Sequence, residues 1–503
     1  MKRGAFCLVL HTHLPYVRSH GAWPCGEDWF HQAAVDAYLP LARVFRRLEE
    51  AGFQDIATVS VSPILATQMS DPYMLGELHL FLGRLLLRAE RQVANYRGPH
   101  QQGVRDLAGW YYQRYASILE EFERRWRRGG LHLAFREAAD AGVVELMTSF
   151  AGHPFVPLLR DEGLAAGQLE TGLAEHERLF GHRPSGAWLP ECGYRPGEAG
   201  RLGTEMMLEK AGIGYTVVDA PTVREAGLSV RRPVEVSGSS VRFLARDMET
   251  SYLVWSPSGG YPGGSWYRDS YHYDAEAGFR SFRVTDRSSH VADKEVYESE
   301  PARRAAAVDA GQFAHEVEER LETYARENGR PGLVLACFDT ELFGHWWFEG
   351  PEFLEALFHR FAEGGRVEVL TISQALERFP SQHTDALPLS SWGRGKDTSA
   401  WLSPSTEPIW SLVWDGEQIV RSALDTGVDQ TRLRQAIREL VLLSASDWPF
   451  MIARGRAADY ARERAEGHHG ALRALLSNAD ETLLARLQER DNPFPTLREE
   501  DFR

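Results

Sequence analysis

Short runs of apolar residues alternate with longer stretches of helical periodicity along the first three quarters of the chain. This alternation is typical of a parallel α/β sheet, because each strand returns through a helix before it pairs in the same direction. Clear helical patterns cover residues 35–52 and 304–328. The predicted strands are AFCLVLH (5–11), DIATVSV (55–61), VVELMTS (143–149), GAWLP (186–190), YTVVDA (215–220), LVLACFD (333–339) and VEVLTI (367–372).

The chain is predicted to form two domains, because 503 residues exceed the size at which one hydrophobic core stops growing. About seven strands favour a barrel-like fold, and no GxGxxG segment follows a strand to indicate a dinucleotide site. We predict an α/β barrel at residues 1–385 and a helical C-terminal domain at 386–503 that contributes to the substrate groove. Within the barrel we expect a helical insertion at about 75–130 and a mobile, functional loop at about 256–275, which is rich in glycine and tyrosine.

Composition narrows the class of partner. The net charge of −15 argues against nucleic acid and anionic membranes, whereas a neutral, polyhydroxylated ligand is compatible with it. The 14 tryptophans indicate either a large core or a ligand groove lined with rings. We expect a cytoplasmic protein, because no apolar run approaches the roughly 20 residues of a membrane span and the four cysteines form no CxxC pair. The apolar run near the N-terminus is interpreted as the first core strand, not as a signal peptide.

Titratable side chains follow four of the predicted strands at their carboxyl ends, the edge at which parallel α/β folds place their active sites. His11 and His13 end the first strand and share a face, since side chains two apart on a strand point the same way. A His-x-His pair can also bind a metal, but alone it is weak evidence. His153, Glu191 and Asp339 follow three other strands. Their convergence predicts one site.

Two carboxylates from different strands, Glu191 and Asp339, are what retaining glycoside hydrolysis requires. One attacks the anomeric carbon, and the other protonates the leaving oxygen and then deprotonates the acceptor. The acid must hold its proton near neutral pH, which the aromatic residues around Asp339 in FDTELFGHWW could favour. His11, His13 and Arg246 could keep Glu191 ionised.

Four motifs, LHTHLPY, WLPECGYRP, FDTELFGHWW and SASDWPF, occur in this order and resemble glycoside hydrolase family 57, most closely its members that branch 1,4-α-glucans. The resemblance covers nearly the whole chain and implies an incomplete (β/α)7 barrel followed by a helical domain. It implies that an α-1,4-glucan segment is cleaved and transferred to form α-1,6 branches, on amylose, glycogen or a starch-like polymer, without a cofactor or metal. It also implies Glu191 as the nucleophile and Asp339 as the general acid/base.

The same resemblance implies substrate-binding residues. The histidines His11, His13 and His153 are expected to line the subsite around the cleaved bond, and Glu341 is expected to have a supporting role. Further substrate-binding positions are Arg246, Gly263, Trp392, Trp401 and Asp447. We also expect the groove to be lined by Trp188, His345, Trp346, Trp410 and Trp448. Trp392 and Trp401 are expected to face the cleft with partly exposed rings, although both could instead be core residues.

One segment departs from the family pattern. Relatives carry a tyrosine-bearing loop that favours transfer over hydrolysis, but residues 216–251 contain no tyrosine here. We therefore expect branching with a notable hydrolytic side activity. The alternatives are a hydrolytic α-glucanase of the same family, a metal-dependent polysaccharide deacetylase and a glucan-binding protein without activity. A deacetylase would need a His-x-x-x-His pair, and none lies at a predicted strand end of this sequence. The presence of both Glu191 and Asp339 argues against a pure binding protein.

Overall fold

Parallel strands surround the central core in the computed structural model, which describes residues 3–95, 102–198, 200–256, 259–273, 279–477 and 481–503. The central strands are apolar and buried on both faces, as expected when helices cover a parallel sheet. The strands of the described chain are β1 (Gly4–Thr12), β2 (Ala57–Val61), β3 (Val144–Ser149), β4 (Ala187–Trp188), β5 (Tyr215–Asp219), β6 (Val234–Val236), β7 (Arg242–Arg246), β8 (Gly332–Asp339), β9 (Val367–Val369) and β10 (Gln382–Thr384).

The strands form a ring that is not fully hydrogen-bonded. Five of them pair in the order β4-β3-β2-β1-β8, and β5 pairs in parallel with β7. A single bridge between Gly186 and Tyr215 joins β4 to β5, and the Asp247 amide donates to the Leu335 carbonyl, 2.7 Å away, beside β7 and β8. Because these two joints are isolated contacts rather than ladders, the barrel is incomplete. The predicted fold class is confirmed.

The seventh barrel strand differs from the one predicted. The run at 367–372 forms only the short strand β9, which pairs with Gly4–Phe6 at the start of β1. The seventh position in the ring belongs to β7, whose sequence RFLAR was not predicted to be a strand. Its three apolar residues between arginines are too few to give a recognisable apolar run.

Helices cover the outside of the ring and form most of the last hundred residues. Helices α4 and α5 pack on each other where the sequence predicts a helical pair. No helix of the described residues is long and apolar enough to cross a membrane. The helices are α1 (Glu27–Ala33), α2 (Leu39–Glu50), α3 (Pro63–Ser70), α4 (Pro72–Asn95), α5 (Gln102–Arg125), α6 (Leu133–Asp140), α7 (Glu162–Phe180), α8 (Thr204–Lys210), α9 (Ala220–Glu225), α10 (Met248–Val254), α11 (Ser299–Asn328), α12 (Gly350–Gly364), α13 (Ile372–Arg378), α14 (Glu407–Thr426), α15 (Gln430–Leu443), α16 (Asp447–Arg454), α17 (Ala458–Ser477) and α18 (Glu481–Arg490).

The C-terminal helices share a hydrophobic core with the barrel. Phe155 and Leu189, which follow β3 and β4, belong to the same buried cluster as Leu440 of α15 and Trp448 of α16. Burial of large apolar side chains is the main favourable contribution to such a contact. It fixes the start of α16 against the mouth of the barrel. The boundary at residue 385 stays a prediction.

The predicted mobile loop is anchored along its described part. Tyr267, Arg268 and Asp269 are buried, with at most 4% of their surface exposed. The Tyr267 hydroxyl donates to Asp309, and Lys294 forms a 2.7 Å ion pair with Asp269. The middle of the loop is therefore held by packing and charge. Residues 257–258 and 274–275 of the predicted loop lie outside the described residues.

Candidate active site

The strand register brings the predicted residues to one edge of the barrel. His11 on β1 is the lateral partner of Ser60 on β2 and of Asp339 on β8, so the three side chains lie in one row. Glu191 follows β4 in the short turn Pro190–Cys192, and His153 follows β3. The carboxyl ends of four strands therefore meet around a single cleft, as predicted.

The backbone is strained at this edge. Glu191 and Cys192 both adopt left-handed conformations, with φ of 62° and 50°, and His153 has a φ of 56°. Each such non-glycine residue costs on the order of 1–3 kcal/mol and persists only where its surroundings enforce it. Here the Trp392 amide donates to the Glu191 carbonyl at 2.9 Å, and the Ser446 amide donates to the His153 carbonyl at 3.0 Å. The strain thus lies at the residues that would carry the chemistry.

Both oxygens of Glu191 accept hydrogen bonds. The Trp392 indole Nε1 donates to Oε2 at 2.6 Å, and the Ser446 hydroxyl donates to Oε1 at 2.9 Å. An indole N–H is a donor only, so Oε2 must act as the acceptor. Burial raises the pKa of Glu191 to about 7, while these two donors act in the opposite direction by stabilising the anion.

A buried ion-pair cluster holds Trp392 in place. Asp219, at the end of β5, accepts from Arg246 Nε at 2.9 Å and from Lys396 Nζ at 2.7 Å. Lys396 also donates to the Trp392 carbonyl at 3.3 Å, and the Arg246 guanidinium lies 5.5 Å from the centre of the Trp392 ring. The two cations hold the pKa of Asp219 below its usual range in spite of burial, which raises it. Arg246, a predicted substrate-binding residue, is thus engaged in positioning the tryptophan.

Asp339 is the more open of the two carboxyls. It is exposed to solvent, whereas Glu191 is half-buried, and it accepts no hydrogen bond from the described residues. Protein nevertheless surrounds it at longer range, and this desolvation raises the pKa of Asp339 to about 6, against the lowering effect of the charges on His13 and Arg246.

Burial raises the pKa of both carboxyls, so these shifts alone do not distinguish the acid from the nucleophile. The two carboxyls differ in exposure, and we expect this difference to distinguish them when a ligand fills the cleft. Water is then removed mainly from Asp339, which raises its pKa, while Trp392 and Ser446 continue to stabilise the Glu191 anion. We therefore expect the acid form at Asp339 in the substrate complex.

His11 and His153 have no free ring nitrogen. His11 contacts Ser60 Oγ through Nδ1 at 3.2 Å and His153 Nε2 through Nε2 at 3.0 Å, and His153 Nδ1 lies 3.0 Å from Ser446 Oγ. Both rings are 2% exposed, and burial holds both pKa values well below the usual range. All four ring nitrogens are already used by protein groups, and the expectation that His11 and His153 line the subsite around the cleaved bond stays a prediction.

His13 behaves differently from its two neighbours. Its Nε2 donates to Asp447 Oδ2 at 3.1 Å, and its ring stacks on that of His153 with centres 3.6 Å apart. Burial acts to lower the pKa of His13, but the carboxylates of Asp447, Glu191 and Glu341 raise it above its usual value. His13 thus differs from His11 and His153 in pairing with a carboxylate at the rim of the cleft.

A third carboxyl, Glu341, supports the loop that follows β8. Its Oε1 accepts from the Tyr38 hydroxyl at 2.5 Å and from the His13 amide at 3.2 Å. Tyr38 ends a π-helical segment, Ala34–Tyr38, between α1 and α2, and such segments are frequent at functional sites. Burial raises the pKa of Glu341 to about 8. These contacts give the supporting role predicted for Glu341 a structural basis.

Four of the predicted groove tryptophans are core residues. Each is at most 1% exposed: Trp188, Trp401, Trp410 and Trp448. Trp401 stacks on Phe155 with ring centres 4.4 Å apart, and the Trp410 indole donates to the Trp401 carbonyl at 3.0 Å. The expectation that Trp401 faces the cleft is wrong, because burying so large an apolar ring stabilises the barrel's contact with the C-terminal helices.

Trp401→Ala is accordingly expected to lower the free energy of unfolding by about 3–5 kcal/mol, since it leaves a large cavity. Differential scanning calorimetry would measure this. The matched control is Trp346→Ala, whose ring is 41% exposed and which is expected to change stability by less than about 1 kcal/mol. An unchanged unfolding transition in Trp401→Ala with weaker glucan binding would favour the groove instead.

Two of the remaining predicted residues lie on the loop after β8 or near it. His345 packs edge-on against Trp346, and burial lowers the pKa of His345 to about 4. Gly263 lies in the turn Tyr261–Gly263, where its carbonyl accepts from Arg287 at 3.3 Å. Among the described contacts, none joins Gly263 to either carboxyl. Trp346 and Trp392 are the predicted tryptophans that remain open to a ligand.

The sequence-based prediction omitted Ser446, Ser60, Asp219 and Lys396. Serines are common and mostly exposed, so residue type alone gives no signal for Ser446, although it lies inside the recognised motif SASDWPF. Asp219 could have been found, because it too ends a predicted strand.

Comparison with known proteins identifies the family. Residues 7–388 match the sequence model of Glycosyl hydrolase family 57. The chain belongs to this family. Residues 417–502 match a second model, "1,4-alpha-glucan branching enzyme, C-terminal". The family prediction is therefore confirmed.

Individual relatives agree with the family assignment. A probable 1,4-α-glucan branching enzyme of Mycobacterium tuberculosis is 38% identical over 94% of this chain and 91% of its own length. The crystal structure of a family 57 branching enzyme from Thermococcus kodakaraensis, solved with glucose, superposes with a TM-score of 0.93 at 32% identity, covering 99% of this chain and 96% of that one. The α-amylase AmyC of Thermotoga maritima gives a TM-score of 0.86 at 26% identity, covering 100% and 99%.

Proposed function

We propose that this family 57 protein is a 1,4-α-glucan branching enzyme, with Glu191 as nucleophile and Asp339 as general acid/base. The observation that carries the proposal is that the region matching the branching-enzyme C-terminal model supplies side chains to the barrel site. Ser446 donates to Glu191, and Asp447 accepts from His13. These contacts support a C-terminal region that takes part in the reaction centre.

The reaction would run in two displacements. Glu191 attacks the anomeric carbon of an α-1,4 bond, while Asp339 gives its proton to the departing O4. The glycosyl-enzyme then reacts with a 6-hydroxyl of another chain, whose proton passes to Asp339 as the Glu191 carboxylate leaves. Asp339 donates one proton and regains one in each cycle, and the product keeps the α configuration with a new 1,6 linkage.

The proposed partner is an α-glucan such as amylose, glycogen or a starch-like polymer. Accessible indoles at Trp346 and Trp392 offer stacking faces for sugar rings, and the negative net charge suits a neutral polymer better than nucleic acid. The two displacements use only side chains of this protein. The four cysteines are unpaired, which supports the proposed cytoplasmic location.

Hydrolysis is the second candidate activity. The connection from β5 to β7, residues 220–241, contains no tyrosine to cover the site, and Asp339 is open to solvent. A glycosyl-enzyme reacts with water or sugar according to which one is held in attack geometry. We therefore expect appreciable hydrolysis beside branching.

Incubation with amylose tests both activities. We expect new α-1,6 linkages, measured as the reducing ends released by an α-1,6-specific debranching enzyme, and a smaller rise in reducing ends before debranching. The control is the Glu191→Gln variant, which should give neither. If reducing ends rise and debranching releases nothing further, the protein is a hydrolase and the branching proposal fails.

A further inference from the structure

A continuous chain of side chains leads from the barrel wall to Glu191. Ser60 Oγ lies 3.2 Å from His11 Nδ1, and His11 Nε2 lies 3.0 Å from His153 Nε2. His153 Nδ1 lies 3.0 Å from Ser446 Oγ, which lies 2.9 Å from Glu191 Oε1. The four groups before Glu191 are each at most 2% exposed, so solvent does not interrupt the chain.

The hydrogen positions in this chain depend on one another. Trp392 can only donate, so an ionised Glu191 accepts from Trp392 at Oε2 and from Ser446 at Oε1. Ser446 must then accept from His153 Nδ1–H, which leaves Nε2 of His153 as an acceptor. His11 must in turn donate from Nε2 and accept at Nδ1 from Ser60. Ionised Glu191 therefore selects one tautomer at each histidine.

A proton added at Oε1 of Glu191 reverses every step. An Oε1–H group donates to Ser446, whose own hydrogen must then turn to His153 Nδ1. His153 donates from Nε2 to His11, and His11 donates from Nδ1 to Ser60. Any mixture of the two directions places two donors or two acceptors face to face, which leaves a buried polar group without a partner.

We propose that Ser446, His153, His11 and Ser60 form a reversible hydrogen-bond chain that holds Glu191 as an oriented anion and reverses direction when Glu191 takes up a proton. The inference rests on the proposed role of Glu191 as nucleophile. The four residues are positioning residues, since they act on the reaction through Glu191.

The electrostatic surroundings agree with a chain of neutral rings. Burial first, and then the charge of His13, holds the pKa values of His11 and His153 well below the usual range. A protonated ring would have two N–H donors and could not complete either direction. The charged groups that face Glu191 or Trp392 from the neighbouring elements are Asp339 on β8, Asp447 on α16, His13 on β1, Arg246 on β7 and Lys396 after Trp392.

Tautomers provide a test that does not require activity. Long-range 1H–15N spectra of the full-length protein with labelled histidine distinguish Nδ1–H from Nε2–H, and single His→Gln variants assign the signals. At pH 8 we expect Nδ1–H at His153 and Nε2–H at His11. In Glu191→Gln the amide oxygen must face Trp392 and the amide NH2 must face Ser446, so both tautomers should switch. An unchanged tautomer at either histidine would overturn the proposal.

The pH dependence of total glycosidic cleavage gives a second readout. Ser446→Ala removes one donor to the Glu191 anion, so the acidic limb of kcat/KM for an α-glycosyl fluoride should move up by about one pH unit. Ser446→Thr keeps the hydroxyl and should retain the wild-type limb.

The matched control is Ser444→Ala. Ser444 is also fully buried, but it hydrogen-bonds to Gln168 and to the Val441 carbonyl. The acidic limb of kcat/KM in Ser444→Ala should therefore stay where it is in the wild type. The proposed chain would be contradicted if the acidic limb of kcat/KM were the same in Ser446→Ala and the wild type. It would also be contradicted if the limb moved equally in Ser446→Ala and Ser444→Ala. If the wild type makes no α-1,6 products but the expected pH limbs and tautomers are observed, only the branching proposal is contradicted. If Ser446→Ala does not fold, the histidine tautomers of the wild type and of Glu191→Gln decide whether the chain exists.

Discussion

Glu191→Gln is expected to remove branching and hydrolysis together, lowering cleavage of amylose by at least about 10⁴-fold. Both activities pass through the same glycosyl-enzyme, and an amide cannot form it. The substitution preserves size and can still accept from Trp392, so the unfolding transition should stay close to that of the wild type. Initial rates of reducing-end release and of α-1,6 bond formation would measure the effect.

Retention of either activity within about tenfold of wild type would contradict Glu191 as the nucleophile. Mass spectrometry supplies a direct control. A slowly reacting α-glycosyl fluoride should leave a sugar on the peptide that contains Glu191 in the wild type, and on no peptide in the variant.

Asp339→Ala is expected to lower activity on amylose by about 10²–10⁴-fold while sparing the first chemical step on activated substrates. Fluoride leaves without a proton, so Glu191 can still be glycosylated, but no base then activates the acceptor. The variant should therefore release a burst of about one equivalent of fluoride per site, followed by slow turnover, and azide should speed that turnover because it needs no deprotonation. Rapid-mixing measurements of fluoride release would detect both effects.

The matched control is Glu341→Gln, two residues further along the same loop. Glu341 accepts from Tyr38 and the His13 amide and is not predicted to exchange protons with substrate, so this variant should show no burst and no azide rescue. Wild-type activity of Asp339→Ala on amylose, or the absence of a fluoride burst in this variant, would count against Asp339 as the acid/base.

The positions of the catalytic carboxyls could be predicted because they follow from fold topology. In a parallel barrel every strand ends at the same edge, so Glu191 and Asp339, about 150 residues apart in sequence, were expected to meet there. The strand β7 was missed for a local reason. Its short apolar stretch is flanked by Arg242 and Arg246, and it becomes a strand through pairing with β5 and β6.

The tryptophans and serines could not be predicted, because their roles depend on neighbours that are distant in sequence. A ring such as Trp401 can stack on a sugar or on Phe155, and the sequence does not distinguish the two. Ser446 gains its role from contacts with His153 and Glu191, both more than 250 residues earlier. The burial of Trp401 and the contacts of Ser446 form only when the C-terminal helices dock on the barrel.

The late position of Ser446 and Asp447 in the chain has a consequence for biosynthesis. A ribosome adds about 5–20 residues per second, so the barrel strands emerge several seconds before α16 can reach them. During that interval Glu191 lacks its donor from Ser446, and His13 lacks its carboxylate partner. A nascent chain from which α16 has not yet emerged should therefore be unable to cut or join the polymer around it, and competence should begin only once α16 has docked on the barrel.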